Sequence, residues 1–247
     1  MKILLANLVL AGTILQLPLA AAVIGKRLWR TFPVFAAYSL WNLAATVVLY
    51  TSPKLGLSRN LYFYTYWVLE GVGVLLGFGV VYEVFKELLG PYAALRRIAA
   101  GAFRWVLAGL VLLAFVVAYA RPSGLPPLMA AVEIPEEAAR VVEVGLLAFL
   151  FAFSRAFGLH WRQSIFGIAL GLGTFTSVDL AVVAMHTHIG QAAYLGLSLA
   201  RVIAFNASLL IWMGYILAPE RVTSTAELPQ RAQLEQWNKA MMELIHQ

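Results

Sequence analysis

Five ionisable residues fall inside stretches that are otherwise almost wholly apolar: Glu70, Arg140, Glu143, Asp179 and Arg201. A charge in hydrocarbon costs roughly 2.5 kcal/mol or more on insertion scales, so each of them calls for a partner or a purpose. The two arginines cannot shed their protons and must be paired. Counted inward along the spans set out below, Glu70 lies ~14 Å deep and Arg201 ~15 Å, both near a bilayer midplane, with Asp179 ~9 Å from the same face. Arg140 and Glu143 count as comparably shallow to Asp179. The expected pair is therefore Glu70 with Arg201, with Asp179 one or two turns above and Asn42 reaching the same level from a neighbouring span. Tyr66, Trp67 and Phe63 precede Glu70 by four, three and seven positions, which stacks them as an aromatic wall along one helix face. These residues predict a cavity with a polar floor and aromatic sides, open to the outside and suited to a small amphipathic or lipid-like ligand. A buried ion pair that only sets helix register is the alternative.

Other chemistries lack their residues. The chain has no cysteine, which excludes disulfides, thiolate metal sites, iron–sulfur clusters and thiol nucleophiles. A retinal Schiff base needs a lysine deep in the last span, and Lys2, Lys26, Lys54, Lys86 and Lys239 all read as lying outside the hydrocarbon. Intramembrane haem and di-iron sites need several buried histidines. His160, His186, His188 and His246 read as surface or tail residues, and the His186/His188 pair at the outer rim is expected to be solvated, holding no metal. Glu136, Glu137 and Arg140 resemble the EExxxR motif of intramembrane glutamate proteases, but one residue short. That shift rotates the arginine by about 100°, and the downstream histidine patterns are missing. No GxSxG, HExxH or phosphate-binding glycine loop occurs. The expectation is a non-enzymatic protein without cofactor or metal.

The elements that must position these residues follow from composition. At 62% hydrophobic and 12% charged, with a mean hydropathy of +0.81, the chain is far from the roughly half apolar and quarter charged make-up of soluble domains. Most of its apolar surface must face lipid. Seven stretches approach the roughly 20 residues that cross a bilayer: Ile3–Ile24, Phe32–Tyr50, Leu61–Val84, Phe103–Tyr119, Glu137–Phe157, Ser164–Met185 and Gln191–Leu217. The predicted fold is an all-α integral membrane protein, a seven-helix bundle over residues 1–219 followed by a tail over 220–247. Lys26, Arg27, Arg30, Lys86, Arg96, Arg97, Arg104, Arg155, Arg162, Arg221, Arg231 and Lys239 fall on one side, against Lys2, Lys54, Arg59 and Arg121 on the other. Basic loops stay in the cytoplasm, so the N-terminus is expected outside and the C-terminus inside. The opening segment also reads as a cleavable leader, but cleavage near Ala20 would put Lys26, Arg27 and Arg30 outside, against that rule. The net charge of +6 then belongs to a face on anionic lipid and implies no nucleic acid.

Trp29, Trp105, Trp161 and Trp212 fall near inner helix ends, where an interfacial belt is expected. Glu83, Lys86 and Glu87 predict that the third span continues into water until Pro91. Pro135, Glu136 and Glu137 read as a helix start. Gly167, Gly171 and Gly173 read as a helix-packing face. In the tail, Glu227, Arg231, Glu235, Lys239 and Glu243 alternate in sign every four residues, while Leu234, Trp237, Met241 and Leu244 form an apolar stripe. That stripe is expected to meet membrane lipid, the inner loops or a protein partner; a homo-oligomer is also open.

The stretches VVYEVFKELLGPYAALRRIAAGAFRW and LLIWMGYILAPE resemble an uncharacterised bacterial seven-span family. The seven-span architecture also resembles the membrane modules of bacterial sensors. What the resemblance implies is a multi-pass inner-membrane sensor or receptor-like module. No kinase or cyclase sequence follows the tail, so its signal is expected to leave through a partner at the cytoplasmic face. A structural or accessory subunit of a membrane complex and a small-solute transporter are the other classes; the absence of an internal repeat speaks against transport.

Overall fold

The computed structural model describes residues 2–218, apart from 53, 55, 57, 91, 121–126, 160 and 190–193. All regular structure among them is helical: α1 (Lys2–Gly25), a single turn α2 (Leu28–Thr31), α3 (Pro33–Thr51), α4 (Arg59–Leu89), α5 (Ala93–Ala120), α6 (Pro127–Ala156), α7 (Gln163–Ile189) and α8 (Tyr194–Leu217). Helices are what so apolar a chain must form, because each one satisfies its own backbone polar groups where no water is at hand. Five of them, α1, α3, α4, α7 and α8, are long and apolar enough to cross a membrane. In α5 the apolar stretch is shorter, Ala99–Leu113, and α6 carries Glu137, Arg140 and Glu143 within its length.

The helices pack in a closed order. α1 lies on α3, α3 on α4, α4 on α6, α6 on α7, α7 on α8, and α8 returns to α1, while α4 also touches α7 across the ring. α5 stands outside it, against α6 and α4. The core between them is aliphatic and aromatic, with Phe35, Val80, Val84, Leu150, Ile165 and Leu172 buried. The α7–α8 seam is the most extensive, and the glycine run explains it. A Cβ at Gly171 would lie 2.6 Å from Cδ1 of Trp212, and one at Gly167 would run into Tyr215. Two glycines one turn apart thus receive two aromatic rings of α8, and the Trp212 indole N–H donates to the Ile168 carbonyl at 3.2 Å.

α4 continues past Val84 to Leu89, as expected of the third span, while two helices begin earlier than hydropathy predicts: α5 at Ala93 ahead of Phe103, and α6 at Pro127 ahead of Glu137. Polar turns end an apolar window without ending a helix. Pro135 accordingly sits inside α6, and Pro127 takes the first position, where a missing N–H costs nothing.

Glu83 also departs from expectation. It does not project into water; it is buried, and its carboxylate accepts the Val34 and Phe35 amides at 2.9 and 2.8 Å. One helix thus caps another, because Phe32 offers the start of α3 no side-chain cap. At the same end Lys26 donates to the Ile216 carbonyl at 2.6 Å, a cation on the last turn of α8. The tryptophans divide. Trp105, 82% exposed, and Trp29 lie on the surface, but Trp212 is 1% exposed in the core. Trp161 stacks on Phe151 and donates to the Ser154 hydroxyl at 3.0 Å. The tail stripe of Leu234, Trp237, Met241 and Leu244 lies outside the described residues, as do His160 and the side chains of His186 and His188.

Candidate functional site

Arg140, on α6, is the centre of the buried charge. Its Nη2 meets Glu70 Oε1 of α4 at 2.8 Å, its Nη1 meets Glu143 Oε2 one turn along α6 at 3.0 Å, and its Nε meets Asp179 Oδ2 of α7 at 2.8 Å. Asp179 turns its other oxygen to Nε of Arg201 on α8. Arg140, Glu143 and Asp179 are buried, whereas the side chains of Glu70 and Arg201 keep 32% and 34% of their surface. A chain of charge therefore runs Glu70–Arg140–Asp179–Arg201 through four helices, with Glu143 as a branch. Each guanidinium nitrogen of Arg140 faces a different carboxylate, a geometry that a planar fork supports and a point-charge ammonium would not. The Arg140 guanidinium also lies 5.5 Å from the centre of the Phe175 ring.

Glu143 is seated by a glycine. A Cβ at Gly77 of α4 would collide with Glu143 Oε1, so the missing side chain on α4 is what lets the carboxylate in. That oxygen has no hydrogen-bond partner among the described residues.

Beside this network is a cavity of about 70 Å³ between α3, α4, α6 and α7. Tyr38, Trp41, Asn42, Ala45 and Leu49 line it from α3, Tyr66, Leu69, Glu70 and Gly73 from α4, Arg140 from α6 and Phe175 from α7. The Trp41 indole N–H donates to the Leu69 carbonyl at 3.0 Å, which fastens the two main walls together. The Asn42 amide is held by its own helix, donating to the Tyr38 carbonyl at 2.9 Å.

The expected residues are thus partly assembled. Glu70, Asn42 and Tyr66 meet at the cavity, and Asp179 joins Glu70 through Arg140. Glu70 and Arg201 are not partners. α8 packs on α7 and α1, α4 on α3, α5, α6 and α7, so each charge finds an acid or base on the helix it faces. Trp67 and Phe63 do not line this cavity either. They pack on each other, ring centroids 6.1 Å apart, next to Tyr66. Around α4 the lining residues Tyr66, Leu69 and Gly73 fall to one side of Glu70, and Trp67 falls about 60° to the other.

Two residues that sequence depth misplaced are central. Arg140 counted as shallow because its span was begun at Glu137; from the true start at Pro127 it lies ~20 Å along α6, level with Glu70 and Asp179. Its i,i+3 spacing to Glu143 was the available signal. On α3 the signal was also present, since Tyr38, Trp41, Asn42, Ala45 and Leu49 recur at helical spacing on one face. Among the described residues no three acidic or histidine side chains converge as a metal ion needs.

No family model matches the chain, and no curated protein or solved structure compared with it is significantly similar.

Proposed function

We propose that the chain is a receptor-like, non-enzymatic multi-pass protein of a bacterial inner membrane. In this reading all seven long helices cross the bilayer, the N-terminus lies outside and the C-terminus in the cytoplasm. A small ligand enters the cavity between α3, α4, α6 and α7, and a protein partner at the cytoplasmic face receives the signal. The observation that carries it is the coupling of that cavity to buried charge. Glu70 lines the cavity and touches Arg140, and Arg140 is bound in turn to α6 and α7. A ligand that engages Glu70 thereby acts on the packing of three helices at once, through groups too costly to leave unpaired in hydrocarbon. Support for the orientation comes from the end of the bundle that gathers Lys26, Arg27, Arg30, Lys86, Arg104, Arg155 and Arg162, since basic loops remain in the cytoplasm. The cavity adjoins the opposite half of α3, reaching Leu49 near its end. Its volume of about 70 Å³ favours a small solute or the head of a lipid over a whole lipid-like molecule.

The test is purification in mild detergent with mass spectrometry of what accompanies the protein, wild type against Gly73→Leu. Gly73 lines the cavity and a Cβ there meets nothing within 4 Å, so a leucine can start at that wall and take up cavity space. A small molecule or lipid retained by the wild type and lost from the variant is expected. Equal retention by both overturns the reading. A stoichiometric protein indifferent to Gly73→Leu makes the chain an accessory subunit, and solute flux in vesicles makes it a transporter.

A further inference from the structure

Among the described residues, the charges around the cavity do not balance. Three carboxylates, Glu70, Glu143 and Asp179, stand against two guanidiniums, Arg140 and Arg201, joined by direct contacts, for a formal charge of −1. Two of those carboxylates are sealed in the interior and engaged by arginine, so only Glu70 presents this excess at a space a ligand could occupy. Arg140 lines the same space with each of its nitrogens already opposite a carboxylate. An anion entering there would add to the excess. A neutral solute would leave the excess in place.

The walls narrow the choice among cations. Four aromatic side chains, Tyr38, Trp41, Tyr66 and Phe175, line the cavity with Glu70. Aromatic rings attract a diffuse, weakly hydrated ammonium far better than they replace the oxygen shell of a metal ion. The described acids also do not converge as a metal would require. In size, about 70 Å³ is well below the roughly 300–1,000 Å³ of pockets that take drug-sized ligands.

We propose that this cavity binds a small ammonium group, bare or lightly methylated, seated between the Glu70 carboxylate and the surrounding aromatic rings. The assignment rests on the cavity being a ligand site, as read above, and adds the chemical class. The ammonium belongs either to a free amine or to the ethanolamine head of a lipid.

Carbon-13 methylammonium titrated into full-length protein in phosphatidylglycerol nanodiscs is the direct probe. Saturable binding with an upfield shift of the methyl signal by ring currents is expected. Glu70→Gln should weaken it by about tenfold or more. Phe175→Leu, which leaves every charge in place, should weaken it by about threefold or more. Phosphatidylethanolamine in the nanodisc separates the sources: competition assigns the ammonium to the lipid head, and its absence assigns it to a free amine. Methanol and formate, matched in size, are the neutral and anionic probes. If either binds as well as methylammonium, or Glu70→Gln and Phe175→Leu leave the affinity unchanged, the cation assignment falls and the ligand cavity stands. If none of the three probes binds and nothing is lost from Gly73→Leu on purification, both fall.

Discussion

Arg140 holds three carboxylates with three different nitrogens, and all but Glu70 of that group are buried. Removing it strips the sealed Glu143 of its cation and leaves Asp179 with Arg201 alone, whereas removing Arg201, itself a third exposed, leaves every carboxylate of the group still paired to Arg140. Arg140→Met is therefore expected to destabilise by about 3–5 kcal/mol, and Arg201→Met by distinctly less, read as unfolding midpoints of the purified protein in one detergent. Two glycines on α4 give a second contrast. A methyl at Gly77 would strike the carboxylate of Glu143, which is buried and held by Arg140 and so has nowhere to retreat. At Gly73 it would meet nothing within 4 Å. Gly77→Ala should cost about 1–3 kcal/mol, while Gly73→Ala should be neutral or stabilising by up to about 1 kcal/mol. Equal effects at the two positions would mean that Glu143 is not lodged against α4. At this scale the identities of the buried charges were legible from the sequence, because ionisable residues in apolar runs announce themselves. Their partners were not. Glu70 and Arg201 match in depth, and only the neighbours of their helices decide that each is bonded elsewhere.

Among the elements, α3 depends on α4 for its beginning. Phe32 provides no side-chain cap, and the Val34 and Phe35 amides are satisfied by the Glu83 carboxylate from a helix 48 or more residues away in sequence. Glu83→Ala should cost about 1.5–3 kcal/mol and speed hydrogen exchange at those two amides ahead of the rest of α3. Unchanged exchange there would refute the cap. The α7–α8 seam is similarly specific. Gly171→Ala would press a methyl into the Trp212 ring, so a loss of about 1–3 kcal/mol is expected, accompanied by a change in the fluorescence of that buried tryptophan. The glycine face was legible, since small residues one turn apart in an apolar run announce close packing. The starts of α5 and α6 were not, because amphipathic turns are helical without being apolar. That error carried Arg140 and Glu143 too near the surface.

For the molecule as a whole, the ring of α1, α3, α4, α6, α7 and α8 with α5 outside it gives the proposed topology a direct test. The absence of cysteine allows single-cysteine labelling against no background. Arg30→Cys and Lys54→Cys flank α3 and are exposed. The first should react with a membrane-impermeant maleimide only in inverted vesicles and the second only in intact cells, and the reverse pattern would overturn the orientation. An epitope tag inserted between α5 and α6 should be reached from the same side as Lys54→Cys if both helices cross. Composition by itself determined that this chain belongs in lipid, because no soluble core could hide its apolar surface, and its apolar runs of about 20 residues, twice what a barrel strand needs, determined that it is helical. It also determined which side chains must be explained. Which helix faces which was decided only by the tertiary packing. Charge pairing, the Glu83 cap and the walls of the cavity are contacts between residues far apart in the chain, and helical periodicity carries no information about the neighbour on the other side of a seam.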